Sequence, residues 1–427
     1  MFFKRALLPI ASLFLSIALL ATGYGLLMTF IGVFLKQQGL GEGTIGLINA
    51  AFFFGAILAA VFSHKWIVTV GHARSFAAFS ALMVMAFLGH ALWFDAWFWA
   101  GLRFVSGFAF YAMLIVLESW LNEKSASADR GRILAIYTLI FFLALAVGQL
   151  LLLLNMPSTT LFIFGSILVL WSLIFVAITR VSQPVLKPFE RYSMPKLLSI
   201  APLALVGSFV GGVFVGAFYT MFPLYIFKLF EQASVVSWFM TLTLLGGLLA
   251  QVPVGILSDR IGRRKMLAWA GFFSVAALAL MGAWPSLWPS SLGVLYALGF
   301  ILGLSLFSIY PLSVARANDV LDESSDLVEI SRTLLFSYGL GSFIAPLFLG
   351  FILKIDSALF FVALGMFAVV LGGYALLAER VADADLNVYV AVPVASGQVL
   401  AEMDPRQDEA WVEAHRPSMG SSERPRD

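Results

Sequence analysis

Apolar residues along this chain gather in long runs, and polar residues gather between them. A helix needs roughly 20 apolar residues to cross a hydrocarbon layer. Runs of that order lie at 7–35, 44–63, 75–94, 97–121, 133–154, 158–179, 199–227, 234–256, 266–284, 289–315, 332–353 and 357–378, which predicts twelve spanning helices. Pro9, Pro202, Pro223, Pro311 and Pro346 fall inside or near these runs. Such prolines kink helices whose freed carbonyls find partners on neighbouring helices. Lys4 and Arg5 precede the first run, as they would in a signal peptide. The run continues to Leu35 without an A-x-A cleavage site, so it reads as a retained first span.

The pattern repeats. A shift of 191 residues places Gly25 on Gly216, Thr29 on Thr220, Gly55 on Gly246, Ala59 on Ala250 and Gly71 on Gly262. One offset holding over two spans and the next turn implies two six-helix halves, and parallel half-repeats are a transporter architecture. The segment Arg180–Lys196, basic and carrying Pro184, Pro188 and Pro195, suits a linker. The expected organisation is a first bundle at 1–180, a cytoplasmic linker at 181–198, a second bundle at 199–378 and a cytoplasmic tail at 379–427. The tail is polar and should be mostly disordered. Its alternating Val388, Val390, Val392 and Val394 would suit a short strand or docking segment.

Charge sets the orientation. With the N-terminus inside, the inner loops and flanks carry Lys4, Arg5, Lys65, Arg74, Lys124, Arg130, Arg132, Arg180, Lys187, Arg191, Lys196, Arg260, Arg263, Arg264, Lys265, Arg316 and Arg332. The outer side carries Lys36, Lys228 and Lys354. That bias places both termini in the cytoplasm. Trp93, Trp97 and Trp99 crowd one outer turn, and Trp284 with Trp288 crowd its counterpart, as interfacial belts do.

Composition agrees. The chain is 61% hydrophobic and 12% charged, whereas soluble domains are about one quarter charged. Lipid is therefore the expected solvent. Without cysteine there are no disulfides, iron–sulfur clusters or thiolate zinc sites. Four scattered histidines predict no metal centre, and a net charge of +2 predicts no nucleic-acid partner. No P-loop, GxSxG elbow, HExxH pair or CxxC is present, so neither ATP-driven work nor an enzyme activity is expected, and no cofactor.

The most informative residues are Gly255-Ile-Leu-Ser-Asp259-Arg260-Ile-Gly262-Arg263-Arg264-Lys265, a charged turn between two apolar runs. Asp259 could cap the next helix or pair with Arg263. Gly255 would allow a close helix approach, and Gly262 a turn that a Cβ resists. The spacing G-x-x-x-D-R-x-G-R-R resembles the signature of the major facilitator superfamily (MFS) of secondary transporters. The resemblance covers roughly residues 1–380 and implies an all-α membrane protein, twelve transmembrane helices in two pseudo-symmetric six-helix bundles. It also implies that Gly255, Asp259, Arg260, Gly262, Arg263 and Arg264 form a gating latch, with Asp319, Asp322, Glu323 and Glu329 as candidate acids for the arginines. The first-half copy is degenerate: His64, Val68 and Thr69 replace Gly255, Asp259 and Arg260, and Gly71, His72 and Arg74 keep the shape.

Arg103-Phe-Val-Ser-Gly107 resembles the family's fourth-helix R-x-x-x-G motif, whose arginine is linked to proton transfer. A guanidinium in lipid costs about 2.5–3.5 kcal/mol on insertion scales unless it is paired or faces water, so Arg103 should face the central cavity. Glu118 lies about four turns further along the helix and should pair with Arg130, Arg132 or Arg74. Arg103, Glu118, Arg130 and Arg132 are the candidates for coupling and charge relay. Helices one, four, seven and ten line the pore in this family, which puts Tyr24, Tyr111, Tyr219 and Tyr310 there, with Thr22, Thr29, Thr220, Ser305 and Ser308; Gln149 and Gln251 add amides. The low charge of this set suggests a small neutral or amphipathic solute.

Leu117-Glu118-Ser119 followed by Arg130-Gly131-Arg132 looks like a branch of mostly uncharacterised bacterial inner-membrane members. The expected activity is secondary transport by rocker-switch alternating access, coupled to protons, by a monomer in the bilayer acting on a small-molecule substrate. The alternatives are multidrug/proton efflux and a non-transporting sensor or scaffold. The first span lacks an acid, the fifth has Val147-Gly148-Gln149 instead of G-x-x-x-G-P, and Gly341–Pro346 only approaches that pattern; these departures weaken the efflux reading.

Overall fold

Each long apolar run folds as a helix, and several helices overrun the run that predicts them. The computed structural model describes residues 11–124, 130–178, 201–289, 291–320 and 327–378. The first half holds α1 (Ala11–Gln37), α2 (Glu42–Val70), α3 (His72–Leu92), α4 (Ala96–Lys124), α5 (Arg130–Leu150) and α6 (Ser158–Ala177). The second holds α7 (Pro202–Phe230), α8 (Ala233–Ile261), α9 (Arg263–Leu287), α10 (Leu292–Leu306), α11 (Ile309–Val320), α12 (Leu327–Ile355) and α13 (Ser357–Gly373). A 3-10 turn (Leu151–Leu154) extends α5, and a π turn (Tyr374–Ala378) extends α13. Taking α10 and α11 as one broken span, 12 helices among the described residues are long and apolar enough to cross a membrane. Hydrocarbon offers backbone amides no partner, so helices that satisfy their own are the natural product of such runs. The linker, the tail with its alternating valines, and Pro9 lie outside the described residues.

The overrun moves the helix ends relative to the hydropathy runs. The turn near residue 260 is as tight as a turn can be, and the charges around it are helical: Asp259 and Arg260 belong to α8, Arg263 to Lys265 belong to α9, and Gly262 alone separates them. Likewise Arg130 and Arg132 belong to α5 and not to a preceding loop. Charged side chains end an apolar run without ending a helix, because their heads reach water from the last turns, as at Arg260 and Arg132, or find a partner, as at Arg263.

Glycines set the packing, and they set it twice. A Cβ at Gly25 would fall 2.7 Å from the Leu145 carbonyl oxygen on α5, and one at Gly216 would fall 2.5 Å from that of Ser342 on α12. At Gly55 the obstacle is Phe104 O on α4, at 2.1 Å; at Gly246 it is Phe300 O on α10, also at 2.1 Å. These backbones touch as only small residues allow, at positions related by the sequence offset. The halves meet where α2 packs on α12, α5 on α8 and α1 on α7.

The break between α10 and α11 also has a sequence cause. Pro311 supplies no N–H to the Phe307 carbonyl four residues earlier. That carbonyl instead accepts from Gln251 Nε2 on α8, at 3.3 Å. The tryptophans divide. Trp93, Trp97 and Trp288 are exposed, as interfacial rings should be. Trp99 and Trp284 are buried; their indoles donate to Trp93 O (2.8 Å) and Ser291 O (3.2 Å), tying equivalent corners of the two halves. A buried indole needs such an acceptor, so these two are corner anchors and not belt residues.

Candidate gating and central sites

The turn at Gly262 is built for glycine. Its φ of 94° and ψ of 142° lie where a Cβ is strained, and its N–H donates to Ser258 O. Gly71 holds the same geometry (φ 92°, ψ 156°) between α2 and α3. Beyond Gly262 the Arg263 side chain is fully buried and gathers Ser258 Oγ, the Asp259 carboxylate and, at 3.4 Å, the Asp319 carboxylate of α11. Asp259 thus pairs with Arg263, and no side chain caps α9. Gly255 is buried in α8, and its carbonyl accepts from Ser258 Oγ. Arg260 points outward. Arg264 turns away from the acids and donates to the last carbonyls of the final span, Ala375 O (2.6 Å) and Leu376 O (3.0 Å). That is the end of a helix where a cation is favoured. Asp322, Glu323 and the side chain of Glu329 lie outside the described residues.

The first-half copy keeps the shape with neutral chemistry. Buried His72 meets Ser119 Oγ of α4 at 2.9 Å, as Arg263 meets Asp319 of α11, and Arg74 is exposed. One turn is tied to its span by an ion pair, the other by a hydrogen bond that charge reversal would not touch.

Arg103 lies in the interior, 2% exposed. Its Nη2 donates to the Met28 thioether (3.0 Å), its guanidinium carbon sits 4.6 Å from the Phe52 ring centre, and its Nε is unbonded. Among the described residues no carboxylate lies within ion-pair distance of it. Beside it, Tyr24 stacks on Phe110 (4.0 Å) and meets Phe52 (5.7 Å) and Tyr219 of α7 (5.5 Å). Tyr111 joins through Phe52 and Phe110. Tyr310 instead pairs with Tyr338 of α12, their rings 4.7 Å apart.

The two amides expected among the lining groups are engaged with backbone. Gln149 Nε2 donates to Gly25 O (2.7 Å), while Gln251 donates to Gly247 O and Phe307 O. A buried amide in lipid satisfies the nearest carbonyl, and both lie beside glycine-thinned crossings where carbonyls are within reach. Glu118, also buried, accepts from Tyr137 OH of α5 at 2.6 Å. Arg132 is exposed near the start of α5, and the Arg130 side chain lies outside the described residues.

This geometry has relatives. The model of the Major Facilitator Superfamily matches residues 13–233 and 204–388. The chain belongs to that superfamily. An uncharacterised MFS-type transporter of Yersinia pestis (strain Pestoides F) is 29% identical over 397 residues, covering 90% of this chain and 98% of the relative. Another from Enterobacter sp. (strain 638) is 26% identical over 351 residues, covering 81% and 89%. The D-xylose–proton symporter superposes with a TM-score of 0.67 at 13% identity, covering 91% of this chain and 98% of its own. The nucleoside transporter NupG superposes with a TM-score of 0.64 at 16% identity, covering 86% and 98%. At such identities the structures speak for the fold alone.

Within this MFS fold one cluster escaped the sequence reading. Glu42, at the start of α2, is buried and bonds Lys36 at the end of α1 (2.8 Å). It also faces Lys228 at the end of α7, across the junction of the halves (3.6 Å), and Lys228 donates to Leu353 O of α12. A Cβ at Gly46 would fall 2.2 Å from Pro346 O, so α2 and α12 touch backbone to backbone beside it. Lone charges flanking spans look like solvated ends in sequence, and nothing there pairs residue 42 with residue 228. Asn49 was missed as well: it is wholly buried, with both amide atoms unbonded.

Proposed function

We propose that this MFS member is a secondary active transporter that moves a small solute by rocker-switch alternating access and couples that movement to protons. The bundles at 1–180 and 199–378 are the rocking bodies, joined by the 181–198 linker. Both termini lie in the cytoplasm and the protein works as a monomer in a bacterial inner membrane. The observation that carries the reading is the burial of Arg103 and Glu118 inside the fourth span. Ionisable groups at membrane depth are costly and mark ion or substrate paths. Glu118, buried and accepting from the Tyr137 hydroxyl, is the acid assigned to carry the proton. Arg263 with Asp259 and Asp319 serves as the latch at the end opposite Glu42, and its first-half counterpart, His72 with Ser119, is the weaker of the two.

Proteoliposomes loaded with a panel of radiolabelled solutes test this. An imposed proton gradient should drive uphill accumulation of one of them. Glu118→Gln should abolish accumulation and spare solute–solute exchange, since exchange requires only that the loaded carrier turn over. Uphill accumulation by Glu118→Gln equal to that of the unaltered protein would refute the coupling role.

A further inference from the structure

The Arg103 guanidinium has five N–H donors, yet its contacts are a thioether and a ring face, both weak partners. A buried cation of this kind is costly unless paired. It is not alone. Thr29 Oγ1, next to Met28 on α1, is buried and unbonded. So are both amide atoms of Asn49, one turn before Phe52 on α2. Asn49 Nδ2 lies 4.0 Å from where a Cβ on Gly32 would stand, which places it against α1 one turn beyond Thr29. Arg103 on α4, Asn49 on α2 and Thr29 on α1 are thus three buried polar groups without strong partners on helices that pack together. Beside Arg103 stands an aromatic wall drawn from both halves: Phe52 and Tyr24 from the first, Tyr219 from the second.

We propose that Arg103 binds the carboxylate of an organic anion whose apolar or aromatic body lies against Tyr24, Phe52 and Tyr219. This rests on the transporter reading and names its substrate class. A carboxylate matches a guanidinium in shape and charge, with two parallel N–H···O bonds. Asn49 and Thr29 supply further donors. The aromatic wall favours a carbon body over an inorganic ion. Met28 is the side chain that must yield. It is unbranched and flexible, and its sulfur rests on the guanidinium edge that the carboxylate would take. Because Tyr219 belongs to α7, such a ligand would touch both halves at once, as alternating access requires. The neutral solute suggested by the sequence gives way here to an anion, since the scarcity of charge around Arg103 leaves that cation to be matched by the ligand.

The test uses the full chain in lipid nanodiscs, with benzoate and phenylacetate as probes against benzamide, phenylacetamide, chloride and phosphate. The carboxylates should bind at least tenfold more tightly than their amides. Arg103→Gln should weaken carboxylate binding at least tenfold. Met28→Glu, which sets a carboxylate beside Arg103, should raise the melting temperature and abolish binding, so the proposal stays testable even where Arg103→Gln fails to fold. Equal binding of amides, tight binding of chloride or phosphate in preference to the carboxylates, binding unaffected by Met28→Glu, or no binding by either carboxylate overturns the proposal. Transport is scored separately in proteoliposomes. Carboxylates that bind but never cross would sink the transport reading and keep the site. A neutral solute carried equally well by Arg103→Gln would keep transport and sink the site.

Discussion

Gly262 and Gly71 hold backbone angles that L side chains avoid, and each is the single residue between two long helices. Gly262→Ala should cost about 1–3 kcal/mol of backbone strain, read as a lower melting temperature of the detergent-purified protein. Next to it, Arg263 separates two acids by burial. The Asp319 side chain is 1% exposed and the Asp259 side chain 39% exposed. Breaking a buried pair costs about 3–5 kcal/mol because it strands a charge, whereas a partly exposed pair is worth about 0–1 kcal/mol. Asp319→Asn should therefore destabilise the protein by more than Asp259→Asn, by several degrees in a thermal-shift comparison. Equal shifts would show that burial gives Asp319 no larger share of the pairing than Asp259. The acid–arginine match was partly legible in the sequence; which acid matters was not, because burial depends on how α11 packs on α9.

At the scale of elements, close crossings rather than side-chain size hold the helices. A Cβ at Gly107 would stand 1.9 Å from Phe52 O, while one at Gly101, two turns earlier on α4, meets nothing within 4 Å. Gly107→Val should push α4 off α2 and reduce the yield of monodisperse protein several-fold in fluorescence size-exclusion chromatography. Gly101→Val should leave the profile unchanged. The same crossing carries Phe52 beneath Arg103, so any protein recovered from Gly107→Val should also bind the carboxylate probes poorly. Helix ends were the weakest part of the sequence reading. Hydropathy stops at the first charge, but Asp259, Arg260 and Arg263 belong to helices all the same, because a charged head that reaches water or a paired acid does not disturb backbone hydrogen bonds. The break after Leu306 was legible only as Pro311; that Gln251 takes the freed carbonyl required the neighbouring helix.

Across the whole molecule, Glu42 and Lys228 draw together the ends of α2 and α7, one from each half. The proposed alternating access requires this end to part. The chain contains no cysteine, so Glu42→Cys with Lys228→Cys creates the only two thiols, and a short bis-methanethiosulfonate should bridge them through two reducible disulfides. Bridged protein should lose at least nine-tenths of its transport in proteoliposomes and regain it on reduction. Full transport by the bridged protein would show that this end stays shut during the cycle. The same cysteine-free background reports orientation: a cysteine at Lys265 should resist a membrane-impermeant maleimide in intact cells, and one at Lys228 should react.

The sequence by itself determined the solvent, the number of spans and the duplication. These follow from apolar run length and from glycines recurring at one offset, properties that survive without knowing which helices touch. It also pointed to Arg103 and to the Gly262 turn, because a charge within a span and a glycine between two spans are local anomalies. Beyond the local Asp259–Arg263 pair, tertiary structure decided the partners. Gln149 and Gln251 turned to backbone carbonyls, Trp99 and Trp284 to buried corners, and Glu42 to a lysine on the other half. Arg103 was left facing a thioether and a ring. Hydrogen bonding and charge pairing act over a few ångströms, and in a bundle those distances are set between residues far apart in the chain, so no local pattern encodes them.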